Sequence, residues 1–331
     1  MACWRGWLGA SLVPCTWLAH FDGLLPQRIY TVLEDDVCTV VPAMDADAMP
    51  TAGICAVHAL DGWCCVTTRD RELRIYAIQE SEEPGKPPAL QLAHCVSAAH
   101  ELTPSAVALS PQAGRVASGA RDASVALFDT STGAEQCRGA DSRALVTALA
   151  WASHSELVVA AEDLALRVWD CRSNSTFQVS GKSDSVQYFP KRVAVSNSGR
   201  YIASGARGVH ADDGGSAAAQ GGEVRIWDLR MPGKVLASVA ASGAVGSDCV
   251  ALAWSENDQQ VRSLYASGYM VDCLLPPDYQ GMTTSIKRSI PDHLQAPLHC
   301  AAAWPAVGPS PPRFVYAADD IATYSCLATT R

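Results

Sequence analysis

The fold class the sequence predicts is all-β: a ring of repeated four-stranded sheets. Three observations predict it. One strand–turn–strand pattern recurs along the chain, each copy follows a second kind of strand, and helical periodicity is hard to find anywhere. Hydrophobic residues make up 48% of the chain, so a large core is available.

The recurring pattern is clearest at 63–78 (WCCVTTRDRELRIYAI), 114–129 (GRVASGARDASVALFD) and 155–170 (SELVVAAEDLALRVWD). Each copy has a small-residue strand, a turn containing Asp, and an alternating strand ending in an aromatic residue. Variants occupy 199–230, split by a Gly/Ala-rich insert at 207–222, then 264–275 and 313–326. The preceding strands read SAVALSP (105–111), LVTALAWAS (145–153), RVAVSNS (192–198), CVALAWSEN (249–257) and LHCAAAWPA (298–306). The end-points fall at Tyr76, Phe128, Trp169, Trp227, Cys273 and Tyr324. That spacing is near the roughly 40–45 residues of a four-stranded blade, lengthened where Pro-rich or Gly-rich loops intervene.

These six copies predict six blades of a β-propeller. Residues 1–50 match the repeat poorly, but ASLVPC, RIYTVL and VCTVV supply most of a seventh. A ring must close, because an open one exposes sheet edges. A strand at Arg28–Leu33 could complete the last blade. The expectation is one seven-bladed propeller over 1–331, each blade of four antiparallel strands.

The net charge of −9 argues against general nucleic-acid binding, which needs a basic face. The partners expected are other proteins, in a multi-subunit complex. Thirteen cysteines, an odd number without a CxxC pair, do not read as a disulfide framework. Many sit in apolar runs as small hydrophobes, which points to a reducing, cytoplasmic compartment. No apolar run reaches the ~18–20 residues of a membrane span. The apolar start, MACWRGWLGASLVPCTWLAHF, could pass for a signal peptide, but Gly and Pro interrupt it and no clean cleavage pattern follows.

No catalytic motif is found: no GxSxG elbow, no GxxxxGK[ST] loop, no HExxH pair. Neither an enzyme nor a cofactor or metal site is expected. His210, Asp212 and Asp213 lie together in the insert and could touch a cation or a partner; a solvated loop is the competing reading. The Gly-rich run leads into a strand, not into the helix N-terminus a phosphate cradle needs. Cys64 and Cys65, adjacent in a strand, face opposite sides of the sheet.

The motifs resemble those of the WD-repeat propellers. Trp169-Asp170 and Trp227-Asp228 are Trp-Asp pairs, and Phe128-Asp129 is a variant. Asp70, Asp122 and Asp163 stand in the turn where such repeats place an Asp. The resemblance implies a hydrogen-bonded network of His, Ser, Asp and Trp. His100, Ser118 and Asp122 fit three of its places, with Phe128 in the fourth. No Gly-His pair exists and Asp141 stands where the next His would be, so the network is complete in no blade and the blades are expected to rely more on apolar packing. Residues 146–230 resemble the WD repeat-containing protein thirty-one family, which implies a role at the cilium or basal body in support of intraflagellar transport. Two blades end in WDxR, at Trp169–Arg172 and Trp227–Arg230. This resembles the motif by which propellers dock on the adaptor of cullin-four ubiquitin ligases, and it makes Arg172 and Arg230 candidate contacts. The competing reading has each Arg closing a salt bridge to its own Asp. A fixed subunit of an axoneme or ribonucleoprotein is a further alternative.

Overall fold

The computed structural model describes side chains over 52–79, 88–139, 142–180, 188–207, 222–241 and 246–275, plus Pro50, Ala244 and Ser285; beyond these it places backbone strands only. Every regular element among the described residues is a strand. The strands form seven antiparallel sheets, each a meander of consecutive strands.

Blade 1 comprises Arg5–Leu8, Val13–Ala19, Ile29–Val32 and Cys38–Val40. Blade 2 comprises Ile54–Leu60, Trp63–Thr68, Leu73–Gln79 and Ala89–Val96. Blade 3 comprises Pro104–Leu109, Arg115–Ala120, Val125–Asp129 and Glu135–Gly139. Blade 4 comprises Val146–Trp151, Glu156–Ala161, Leu166–Asp170 and Ser175–Gln178. Blade 5 comprises Pro190–Val195, Tyr201–Ala206, Gly222–Asp228 and Val235–Ala241. Blade 6 comprises Cys249–Trp254, Gln260–Tyr265, Tyr269–Leu274 and Thr283–Arg288. Blade 7 comprises Cys300–Trp304, Arg313–Ala317 and Ser325–Cys326.

The first strands of blades 2 to 7 touch in succession, and Val13–Ala19 of blade 1 touches the first strands of both blade 2 and blade 7. The sheets therefore stand radially around an axis and close a ring. The strand expected at Arg28–Leu33 is present as Ile29–Val32, but it pairs with Val13–Ala19 and Cys38–Val40 inside blade 1, not with blade 7. The physical reason is loop closure: pairing with a neighbour in sequence orders a shorter loop than joining the two ends of the chain.

The core lies between blades, where the faces of adjacent sheets meet. One cluster joins blades 2 and 3 around Leu73, Ile75, Val116 and Phe128. Others join blades 3 and 4 around Trp169, blades 4 and 5 around Trp227, and blades 5 and 6 around Tyr265. The small-residue strands have a definite cause here. A Cβ added at Gly119 would overlap Val146, and one at Gly205 would overlap Cys249, the first inner-strand residue of the next blade in each case. In the repeated Ala-Ser-Gly-Ala strand the glycine lets neighbouring blades approach closely.

Candidate functional site

Five end-points occupy one register place. Tyr76, Phe128, Trp169, Trp227 and Cys273 stand opposite Cys64, Val116, Leu157, Ile202 and Val261, and all five are fully buried. Tyr324 lies outside the described residues, as do Asp141, His210, Asp212 and Asp213.

Blade 3 assembles the His, Ser and Asp side chains. His100 Nε2 lies 3.0 Å from Ser118 Oγ, and Nδ1 lies 2.9 Å from Ser124 Oγ and 3.5 Å from Asp122. Asp122 also accepts from the N–H groups of Glu101 and Ser124. Burial opposes charge on Asp122, but the hydrogen bonds from Ser124 outweigh it and hold the carboxyl below its ordinary range. Burial pushes His100 down, against the pull of Asp122.

The other blades carry polar pairs beside their apolar packing. In three of them an Arg stands two residues before the aromatic place and pairs with a nearby carboxylate. Arg74 Nε bonds Glu72 at 2.8 Å, Arg167 is bidentate to Asp163 at 2.9 and 2.6 Å, and Arg225 is bidentate to Glu223 at 2.8 and 3.0 Å. In blade 3 that place is Ala126, and Arg138 enters from the opposite position on the fourth strand, donating to the Ala99 carbonyl at 2.8 Å. In the sequence these places appear as Arg-Ile-Tyr, Arg-Val-Trp and Arg-Ile-Trp at 74–76, 167–169 and 225–227. In blade 5 a buried Tyr188 takes the His role: its hydroxyl donates to the Ser204 carbonyl at 3.0 Å, and Arg225 sits 4.0 Å over its ring. Asp70 of blade 2 accepts from Thr68 Oγ1 and stays exposed.

Side chains on the first strands stitch blade to blade. The Leu109 N–H donates to His58 Nδ1 at 3.1 Å, and Ser105 Oγ donates to the Val146 carbonyl. Thr147 Oγ1 donates to Pro190 at 2.7 Å, and Arg192 Nε to Val250 at 3.1 Å. The indoles of Trp151 and Trp254 each reach the preceding blade, at Ala108 and Ala194, at 3.1 Å. Burial pushes His58 down to about 3, so it is the neutral ring that accepts this bond. These strands line an axial cavity of about 430 Å³, with Arg192 and Thr147 toward one end and Trp151 and Trp254 toward the other.

The two WDxR turns differ. Asp170 of blade 4 accepts from the Arg172 N–H at 3.0 Å and Ser173 Oγ at 3.0 Å, and the Arg172 guanidinium, 67% exposed, reaches it only at 3.5 Å. Asp228 of blade 5 is buried and accepts from Arg200 at 3.0 and 2.6 Å. Burial opposes that charge, and the bonds and charge of Arg200, together with the N–H and charge of Arg230, outweigh it, holding the carboxyl below its ordinary range. Arg230 gives Asp228 its backbone N–H at 2.9 Å; its exposed guanidinium makes no ion pair among the described residues. Both turns follow third strands, so they leave the same end of their blades. The insert joins the second and third strands of blade 5, so it leaves the opposite end: Ala206 and Glu223 pair there, and Tyr201 and Asp228 at the other.

Among the described residues no group of three or more His, Cys, Asp or Glu could hold a metal, and no helix is long and apolar enough to cross a membrane. The described cysteines are all free.

Residues 135–170 match the family described as WD domain, G-beta repeat. The match begins at the fourth strand of blade 3 and ends at Asp170, so the sequence repeat straddles two blades. The crystal structure of a mitotic checkpoint complex contains a chain of the same fold, with a TM-score of 0.66 at 15% identity, over 96% of this chain and 87% of that one. No curated protein matches the chain in sequence. Seven radial meander sheets with Trp169 and Trp227 buried between them make this an all-β propeller, and one stretch of it, 135–170, matches the WD-repeat model.

Proposed function

We propose that the protein is a non-catalytic scaffold that holds other proteins, and that it does so at the cilium in support of intraflagellar transport. The observation that carries the scaffold reading is where the polar side chains are used. His100, Thr147, Arg167, Arg200 and Arg225 all bond within or between blades, while the turns after the third strands stay exposed. A rigid ring with exposed turns suits binding sites grafted on a platform. The resemblance of residues 146–230 to a ciliary family supports the location. Crosslinking of the native protein with identification of its partners is the test. Transport proteins among the partners, and a tagged chain at the cilium or basal body, are expected. Exclusion from both places overturns the ciliary reading, and absence of any protein partner overturns the scaffold.

A second reading, substrate receptor of a cullin-four ligase, is favoured by one observation: the Arg230 guanidinium is exposed while its motif Asp is taken by Arg200. Arg offers a planar fork of donors to a partner's carboxylates and carbonyls. Reversing charge at Arg172 and Arg230 should abolish adaptor pull-down with the fold intact; unchanged pull-down rejects this reading.

A further inference from the structure

The outer seam between blades 4 and 5 carries two exposed apolar side chains and two cations that make no ion pair among the described residues. Phe177 stands opposite Val168 in the register, so their side chains share a face. Val168 belongs to the cluster that packs blade 4 against blade 5, so Phe177 lies on the seam side of its sheet. The Gly233 N–H donates to the Val179 carbonyl at 2.7 Å, tying the third turn of blade 5 to the end of that same fourth strand. Phe177 precedes Val179 by two residues, and Met231 precedes Gly233 by two. They are 39% and 46% exposed, two of the four exposed large hydrophobics among the described residues.

Charge at this turn is one-sided. Arg230 and Lys234 are exposed, and neither makes an ion pair among the described residues. The acid of the turn, Asp228, is buried and engaged by Arg200. The seam is therefore locally basic in a chain of net charge −9.

We propose that this seam docks an extended segment of a partner protein in which acidic residues flank one or two large apolar side chains. The apolar residues would cover Phe177 and Met231, and the carboxylates would meet Arg230 and Lys234, fixing register and steering approach. A nucleic acid or an anionic membrane fits less well, because two cations in a strongly acidic chain do not make the broad basic face those surfaces need. The proposal rests on the scaffold reading and gives it a site and a partner chemistry.

The test is selection of a random dodecapeptide display library on the full chain. Enriched peptides should carry Asp or Glu around Leu, Phe or Trp. The synthesised consensus peptide should lose at least tenfold in affinity with Arg230→Glu/Lys234→Glu, and equally with Phe177→Ser/Met231→Ser, and should weaken as salt rises. Thermal melting within a few degrees of wild type shows that the variants fold; Arg230→Ala/Lys234→Ala replaces the charge reversal if it does not. No enrichment, a consensus without acids, unchanged affinity in either pair of variants, or displacement of the peptide by RNA or phosphatidylserine vesicles overturns the seam. Partners that still crosslink to both variants would sink the seam alone; a wild-type chain with no partners would sink the scaffold.

Discussion

In blade 4 the Trp169 indole donates to Asn174 Oδ1 at 2.9 Å, and Asp170 faces solvent. In blade 5 the Trp227 indole N–H is buried with no acceptor among the described residues, and Asp228 is buried against Arg200. The backbones at these places agree. Cys171 N–H donates to the Ser155 carbonyl at 2.8 Å, and Leu229 N–H to the Arg200 carbonyl at 3.0 Å. Each turn also has one left-handed residue, Asn174 with φ 52° and Gly233 with φ 85°. The difference lies in the side chains around these turns. Ser155 cannot reach a carboxylate where Arg200 can, and in the longer turn of blade 5 the left-handed residue comes six rather than five residues after its Trp and, as Gly233, has no side-chain oxygen. One four-residue pattern thus yields two polar arrangements, decided by residues outside it.

The largest test of this contrast is Arg200→Met. It takes the bonded cation from a buried carboxylate that keeps the Arg230 N–H, and because Arg200 is 38% exposed the expected loss in denaturant unfolding is on the order of 2 kcal/mol, less than for a fully buried pair. Its pH dependence carries a sign. The folded carboxyl of Asp228 is held below its ordinary value. Its contribution is therefore present above the unfolded value, near ~3.9, and is lost as pH falls through the folded one. Arg200→Met should remove that contribution and shift acid unfolding to higher pH. An unshifted acid midpoint would show that the pair does not hold the charge.

Next come the indoles. Trp169→Phe and Trp227→Phe remove similar volume, but only the first breaks a hydrogen bond. Trp169→Phe should cost about 1 kcal/mol more than Trp227→Phe, because Trp227 loses an N–H that had no partner. Equal losses would mean that the Trp227 N–H finds an acceptor in solution.

Asn174→Gly keeps the left-handed turn and deletes the acceptor, and a loss of about 1–2 kcal/mol is expected. The reverse exchange, Gly233→Asn, should come out within about 0.5 kcal/mol of zero. A Cβ there meets nothing within 4 Å, and the strain of φ 85° offsets any new bond to Trp227. Thermal melting of both variants decides it; a large loss at Gly233 would show a turn that tolerates no side chain. Arg172→Ala should be smallest, under about 0.5 kcal/mol, because its guanidinium is 67% exposed and only loosely paired.

Legibility in the sequence followed burial. The second and third strands of blades 2 to 5 were readable because their faces are buried on both sides, which leaves little choice but small or apolar residues. The fourth strands went unread. Ala89–Val96, Glu135–Gly139 and Ser175–Gln178 form the outer edges, mostly exposed or half-exposed, and their sequences carry no strict alternation. The Asp places of the turns were legible as well, because a turn needs an acceptor for its own N–H groups. The Arg–carboxylate pairs were present in the letters but not interpretable, since a charged residue in a strand reads first as a solvated face.

The sequence by itself determined the repeat, the strand periodicity and the buried aromatic places, because each is a local pattern imposed by a period of two and by close approach at Gly119 and Gly205. Tertiary structure alone decided that Ile29–Val32 stays in blade 1, that the guanidinium on Asp228 is that of Arg200 rather than Arg230, and that Phe177 and Met231 flank one seam. Those outcomes depend on distances between residues far apart in the chain, which close only when the blades pack against one another.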